Sequence, residues 1–119
     1  MTARELKNHC LALPGAYEDY PFGDGESWCV MRHRGSRKGF AHIYERGGRV
    51  CVNLKCEPME ADFLRNLFAD VTPAYHMNKT HWNGVAVDGD VPEEQLLRMV
   101  RRSYALTGDR GKGTGGRRT

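Results

Sequence analysis

Apolar positions change their spacing several times along this chain, and each change marks an element. Leu6, Cys10, Leu11 and Leu13 recur at helical intervals behind Thr2 and Glu5, whose three-residue separation is that of a capping box. The spacing predicts a first helix to about Leu13, ended by Pro14-Gly15, which cannot continue the ladder and permits a reversal. Residues 16–26, with Pro21, Gly23 and Gly25, read as a loop. Period-two alternation then predicts three strands over 27–33, 39–45 and 49–55, joined by hairpin turns at 34–38 and 46–48. Pro58 suits a first helical turn, and Met59, Phe63, Leu64, Leu67 and Phe68 predict the inner face of a second helix over 58–69. Two further strands are expected at 72–77 and 82–88, connected through Asn78-Lys79-Thr80. Asp90 and Glu93 repeat the cap pattern before Leu96, Leu97, Val100 and Tyr104, the stripe of a closing helix that ends near Leu106.

The order α-β-β-β-α-β-β-α implies a two-layer α+β domain, one antiparallel sheet with its helices on one face. Strand parity sorts Cys29, Met31, Ala41, Ile43, Val50, Val52, Leu54, Val85 and Val87 onto one side, an aliphatic set suited to a core. Trp28, Phe40, His42, Tyr44, Asn53, Lys55 and Trp82 fall on the other. That mixture of rings and polar groups is either an exposed stacking surface for single-stranded nucleic acid or ordinary packing displaced by a one-residue slip of register.

Length changes this picture little: 119 residues suffice for one self-sustaining core. No apolar run is long enough to span a bilayer, and Lys7, Asn8 and His9 interrupt the start of the chain before any leader-like stretch, so a cytoplasmic location is expected. In that reducing compartment Cys10, Cys29, Cys51 and Cys56 read as free thiols. Charge is distributed unevenly. Arg110, Lys112, Arg117 and Arg118 against Asp109 account for the whole net charge of +3, which leaves residues 1–107 neutral. The chain therefore divides into a domain at 1–107 and a basic Gly/Arg tail at 108–119 with nothing to bury, expected to be disordered.

Recognisable reaction chemistry is sparse. Cys51 and Cys56 have the same separation as His76 and His81, but a strand and a helix come between them where a zinc finger needs a tight knuckle, so no metal is expected. The chain has no Gly-x-Ser-x-Gly elbow and no His-Glu-x-x-His helix, and Gly111-Lys112-Gly113-Thr114 lacks the spacing of a phosphate loop. A Cys56–His76 nucleophile pair depends on proximity that sequence does not reveal. The expectation is a protein without catalytic residues or cofactor.

The stretch Pro73-Ala74-Tyr75-His76-Met77-Asn78-Lys79-Thr80-His81-Trp82, with Val85 beyond it, is the most distinctive in the chain. Leu13-Pro14-Gly15, Pro21-Phe22-Gly23, Lys38-Gly39-Phe40-Ala41 and Asn53-Leu54-Lys55-Cys56 precede it in order. Together these pieces, over residues 1 to about 107, resemble the MmcQ/YjbR family. The resemblance implies a compact α+β fold of the secretion-chaperone type and DNA binding through two projecting hairpins, a double wing. The wings here would be the turn 34–38, with Arg32, Arg34, Arg37 and Lys38, and the turn 78–80, with Asn78 and Lys79. Lys55, His76, His81 and Trp82 complete the candidate set. Trp82 could stack on a base, although its apolar area beside Val85 and Val87 favours anchoring the hairpin in the core. The expected partner is nucleic acid, DNA before RNA, bound weakly and salt-dependently by a monomer; the alternative is a protein-interaction module that receives a partner peptide.

Overall fold

A computed structural model describes residues 1–22 and 27–108. The elements in chain order are α1 (Ala3–Leu11), β1 (Ala16–Asp19), β2 (Trp28–His33), β3 (Gly39–Arg46), β4 (Arg49–Lys55), α2 (Pro58–Leu67), β5 (Val71–Pro73), β6 (Trp82–Ala86) and α3 (Glu93–Thr107). The α+β class holds. The six strands form one antiparallel sheet in the order β1-β2-β3-β4-β6-β5, and the helices pack along one face of it. Among the described residues no helix is long and apolar enough to cross a membrane.

The core lies between that face and the helices. Cys29 and Met31, Ala41 and Ile43, Val52 and Leu54, Val85 and Val71 point inward from successive strands and meet Leu6 and Cys10 of α1, Ala61 and Leu64 of α2, and Leu96, Met99 and Val100 of α3. Burial on this scale is the main favourable term in folding. The capping box of α1 is present, with Glu5 N–H donating to Thr2 Oγ1 at 3.1 Å and Thr2 N–H to Glu5 Oε1 at 2.7 Å.

Five expectations need correction. Residues 16–19 are a strand, not a loop: Gly15, at φ +72°, turns the chain back so that Ala16 pairs with His33 and Asp19 with Val30. Phe40 belongs to the core. Met31 pairs with Ala41 but Arg32 with Gly39, so Phe40 is the extra residue of a β-bulge, and its ring turns to the helix side against His33 and Tyr104, with centroids at 5.3 and 5.2 Å. The strand expected at 72–77 ends at Pro73, which has no N–H to extend a ladder, and His76 then takes a left-handed φ of +63°. On α2 the inner residues are Ala61 and Leu64, whereas Met59, Phe63 and Leu67 are 87%, 62% and 56% exposed. The helix is rotated this way because the Asn83 amide donates to Ala61 C=O at 3.2 Å while Arg65 reaches across to Asn83 Oδ1 at 2.6 Å. Finally, Asp90 does not cap α3, whose N-cap is Pro92. Its carboxylate instead accepts from the N–H groups of Ala69 and Asp70 at 2.8 and 3.0 Å, and Asp70 accepts in return from Asp90 N–H at 2.9 Å. The expectations for residues 23–26 and for the tail from residue 109 lie outside the described residues.

The bulge leaves backbone groups that the ladder does not satisfy, and Ser103 supplies them. This fully buried hydroxyl donates to Phe40 C=O at 2.6 Å and accepts from Lys55 N–H at 2.9 Å. Ser103→Ala should therefore destabilise the protein by about 1–3 kcal/mol, the cost of leaving buried backbone groups unpaired, read as a lowered urea midpoint at unchanged m-value.

Candidate nucleic-acid interface

On the face turned away from the helices, parity places Trp28, Val30 and Arg32 of β2, His42, Tyr44 and Arg46 of β3, Cys51, Asn53 and Lys55 of β4, and Trp82, Gly84 and Ala86 of β6. The rings form a continuous set. Trp28 stacks on Tyr44 with centroids 4.4 Å apart and planes at 10°, and its indole N–H donates to His42 Nδ1 at 3.2 Å. His42 meets the edge of Trp82 at 5.5 Å. Trp82 is thus half-buried on the open face and does not anchor the hairpin in the core.

Residues 74–81 leave the sheet edge and fold back over this face. Asn53, fully buried, accepts from Tyr44 Oη at 2.8 Å and donates to Tyr75 C=O at 2.8 Å, which ties the segment to the middle of the sheet. The fit is tight opposite Asn53: a Cβ on Gly84 would lie 3.1 Å from Asn53 Oδ1, so the amide would have to yield by a few tenths of an ångström, and 3.6 Å from the Ala74 Cα. Further on, Asn78 Oδ1 accepts from Thr80 N–H at 2.9 Å and shapes the turn, and Lys79 Nζ donates to Ala74 C=O at 2.9 Å. Arg65 of α2 clamps the returning strand by donating to Lys79 C=O and Trp82 C=O. His81 is exposed, and its carbonyl accepts from Cys56 N–H at 2.8 Å. The His76 ring, also exposed, lies 3.9 Å from that of Tyr75.

The other candidate wing is the β2–β3 connection. Arg37 holds a left-handed φ of +67°, and Arg32 braces the turn by donating to Arg37 C=O at 3.0 Å while its Nε pairs with Asp19 at 2.7 Å. Arg34, Arg37 and Lys38 are exposed, with the Arg34 guanidinium 5.4 Å over the Tyr17 ring. The pairings Arg32–Gly39 and Lys55–Trp82 put this turn and the 74–81 segment at the same end of the sheet. Three strand spacings, about 14 Å, separate the strand ends from which the two connections spring. Lys55 stands between them on the open face.

The residues proposed for other chemistry separate. Cys56 is buried on the helix side, where burial pushes its thiol up to about 11, whereas His76 stacks on the open face. Cys51 is on the open face, and among the described residues no three of His, Cys, Asp and Glu converge as metal ligands would. Sequence reasoning missed Arg65, whose signal was an arginine one turn beyond the buried Ala61 on an amphipathic helix. It also missed Arg46, for which sequence carries no signal: its guanidinium lies 3.9 Å over the ring of Tyr75, a residue far along the chain.

His42 is the titrating group at the centre of the face. Burial, with a smaller push from the Arg32 charge, lowers its pKa from 6.5 to about 4, and Trp28 N–H donates to its Nδ1. The unfolded chain binds this proton near pH 6.5 while the folded protein refuses it until about pH 4. Stability should accordingly be lost as pH falls through that window, by on the order of 3 kcal/mol. His42→Gln, which keeps an acceptor for the indole, should flatten the difference between urea midpoints at the two ends of the window relative to the unaltered protein.

Known proteins give the same architecture. The chain matches the family model described as YjbR over residues 11–106. It is 36% identical over 104 residues to "Uncharacterized protein YjbR" of Escherichia coli K12, covering 87% of this chain and 85% of that one. To "Uncharacterized protein YyaQ" of Bacillus subtilis it is 27% identical over 117 residues, with 90% and 98% covered. Among solved structures, Deinococcus radiodurans protein DR2400 superposes with a TM-score of 0.81 at 31% identity, over 96% of this chain and 82% of that one. A Pseudomonas syringae protein also reaches 0.81, at 24% identity, over 91% and 100%. With the signature segment laid over an open aromatic face, the chain belongs to the MmcQ/YjbR family.

Proposed function

We propose that the protein binds nucleic acid, DNA in particular, through the end of the open face that carries the turn 34–38 and the segment 74–81. The observation that supports this reading is that two cation-bearing connections spring from one sheet end, from strand ends about 14 Å apart. Among the described residues Arg34, Arg37, Lys38, Lys55 and Lys79 enter no ion pair, so their charge is available to a polyanion. Duplex DNA carries one charge per about 1.7 Å of axis and presents several phosphates over that span. Trp82 and His76, beside these cations, offer ring faces to an unpaired base. The affinity is mostly electrostatic and weak at physiological salt.

Five phosphate contacts set a log-affinity slope of about −4.5 against log salt, or roughly 500-fold between ~50 and ~200 mM. Fluorescence titration with single- and double-stranded oligonucleotides should give that slope for the chain ending at Gly108 as well as for the intact chain. Arg34→Gln/Arg37→Gln/Lys38→Gln should reduce it to about −1.8. Affinity that stays flat with salt, or that disappears altogether with the tail, would refute binding by the folded domain.

A second reading, a protein-interaction module, rests on one observation: Met59, Phe63 and Leu67 form an exposed apolar stripe at successive turns of α2. On that reading, Met59→Gln/Phe63→Gln/Leu67→Gln abolishes co-purification of a single protein partner and leaves the oligonucleotide titration unchanged.

A further inference from the structure

At the opposite end of the open face, some 23 Å along β3 from the turn 34–38, the sheet carries a cleft of about 200 Å³. Its floor consists of small residues, Cys51, Gly84 and Ala86, and its walls are the rings of Tyr44 and Tyr75 with Thr72 of β5 at the edge. Across the mouth stand Arg46 and Arg49, directly paired on the β3–β4 hairpin with both side chains on this face. Gly47 and Gly48, at φ +61° and +78°, make the tight reversal that brings the two arginines opposite each other.

The two guanidiniums are engaged very differently. Arg49 gives one N–H to Asp70 Oδ1 at 3.2 Å. That carboxylate is held ionised, its pKa lowered chiefly by the hydrogen bond from Asp90 N–H and then by Arg49 itself. The Arg46 guanidinium lies 3.9 Å over the Tyr75 ring at the edge of the cleft and, among the described residues, has neither ion pair nor hydrogen bond, so its N–H donors are not used by the protein. The ring contact restricts the guanidinium without using those donors. Nor do the hydroxyls of Thr72 and Tyr75 have a protein partner among the described residues. Two arginines against one carboxylate leave the cleft with a net positive charge.

The geometry points to a binding site for a phosphomonoester in this cleft, its terminal phosphate held between Arg46 and Arg49 and the group it esterifies lying along the floor of Cys51, Gly84 and Ala86, beside the contacting rings of Tyr44 and Tyr75, whose centroids are 5.8 Å apart. A planar carboxylate is satisfied by one arginine fork. Forks arriving from two adjacent strands suit an acceptor with oxygens in three directions, and a dianion best offsets the second arginine. The volume fits a phosphate with one small ring, well below the size of a drug-like ligand site.

The test uses the intact protein and phenyl phosphate, followed by calorimetry and by the arginine Nε–H resonances. Saturable binding is expected, weakened at least about tenfold by Arg46→Gln and by Arg49→Gln and partly restored in Arg46→Lys. Arg34→Gln/Arg37→Gln/Lys38→Gln, at the far end of the face, should leave it unchanged, which separates this site from nucleic-acid binding at the turns. A 5′-phosphorylated oligonucleotide should displace phenyl phosphate, and its 5′-hydroxyl counterpart should not. Absence of saturation, indifference to Arg46→Gln/Arg49→Gln, displacement by acetate as effective as by inorganic phosphate, or equal displacement by the 5′-hydroxyl strand would each overturn the assignment.

Discussion

One buried amide organises the open side of this protein. Asn53 sits in the central strand β4 with no exposure and connects Tyr44 Oη to Tyr75 C=O. An unpaired amide at that depth would cost several kcal/mol, so the segment 74–81 is obliged to stay where it satisfies the side chain. The rest follows from that placement. Gly84 leaves little room for a side chain, Ala74 is completely enclosed, and Tyr75 is brought beneath Arg46 to form one wall of the cleft. The loop is therefore as firmly specified as a strand, although it makes almost no ladder bonds.

Helix side and open side are also coupled through Arg65 and Asn83. Arg65 leaves α2, bonds Asn83 Oδ1 at the edge of the core and continues to the carbonyls of Lys79 and Trp82. A single guanidinium thus satisfies a buried amide and holds the turn 78–80 against the start of β6. Its planar, permanently charged fork is suited to three acceptors at once, which a lysine in its place would not match.

Much of this architecture was legible in the residues. Alternation in β2, β3, β4 and β6 sorted Cys29, Ile43, Val52 and Val85 inward and Trp28, His42, Tyr44 and Trp82 outward, because each strand has one apolar side. Where that logic failed, a non-local interaction intervened. Phe40 changed sides through a bulge whose backbone is completed by Ser103, a partner supplied by the last helix. Alternation could not find β1, since Ala16, Tyr17, Glu18 and Asp19 are uniformly half-buried. The stripe on α2 was visible as a stripe, but its direction was decided by Arg65 and Asn83. Of the candidate site, the two turns were marked out by cationic residues and the family signature, whereas the Arg46–Tyr75 contact joins distant parts of the chain and had no local trace.

The two margins of the sheet have a consequence for how the molecule meets others. β5 is three residues long and closes on Pro73, and β1, at the other margin, is four residues long. Such abbreviated borders give a foreign strand few free amides to add to, and proline removes one outright. The molecule is thereby protected against growth into ribbons or fibres by lateral accretion, and recognition is left to side chains projecting from its broad surfaces.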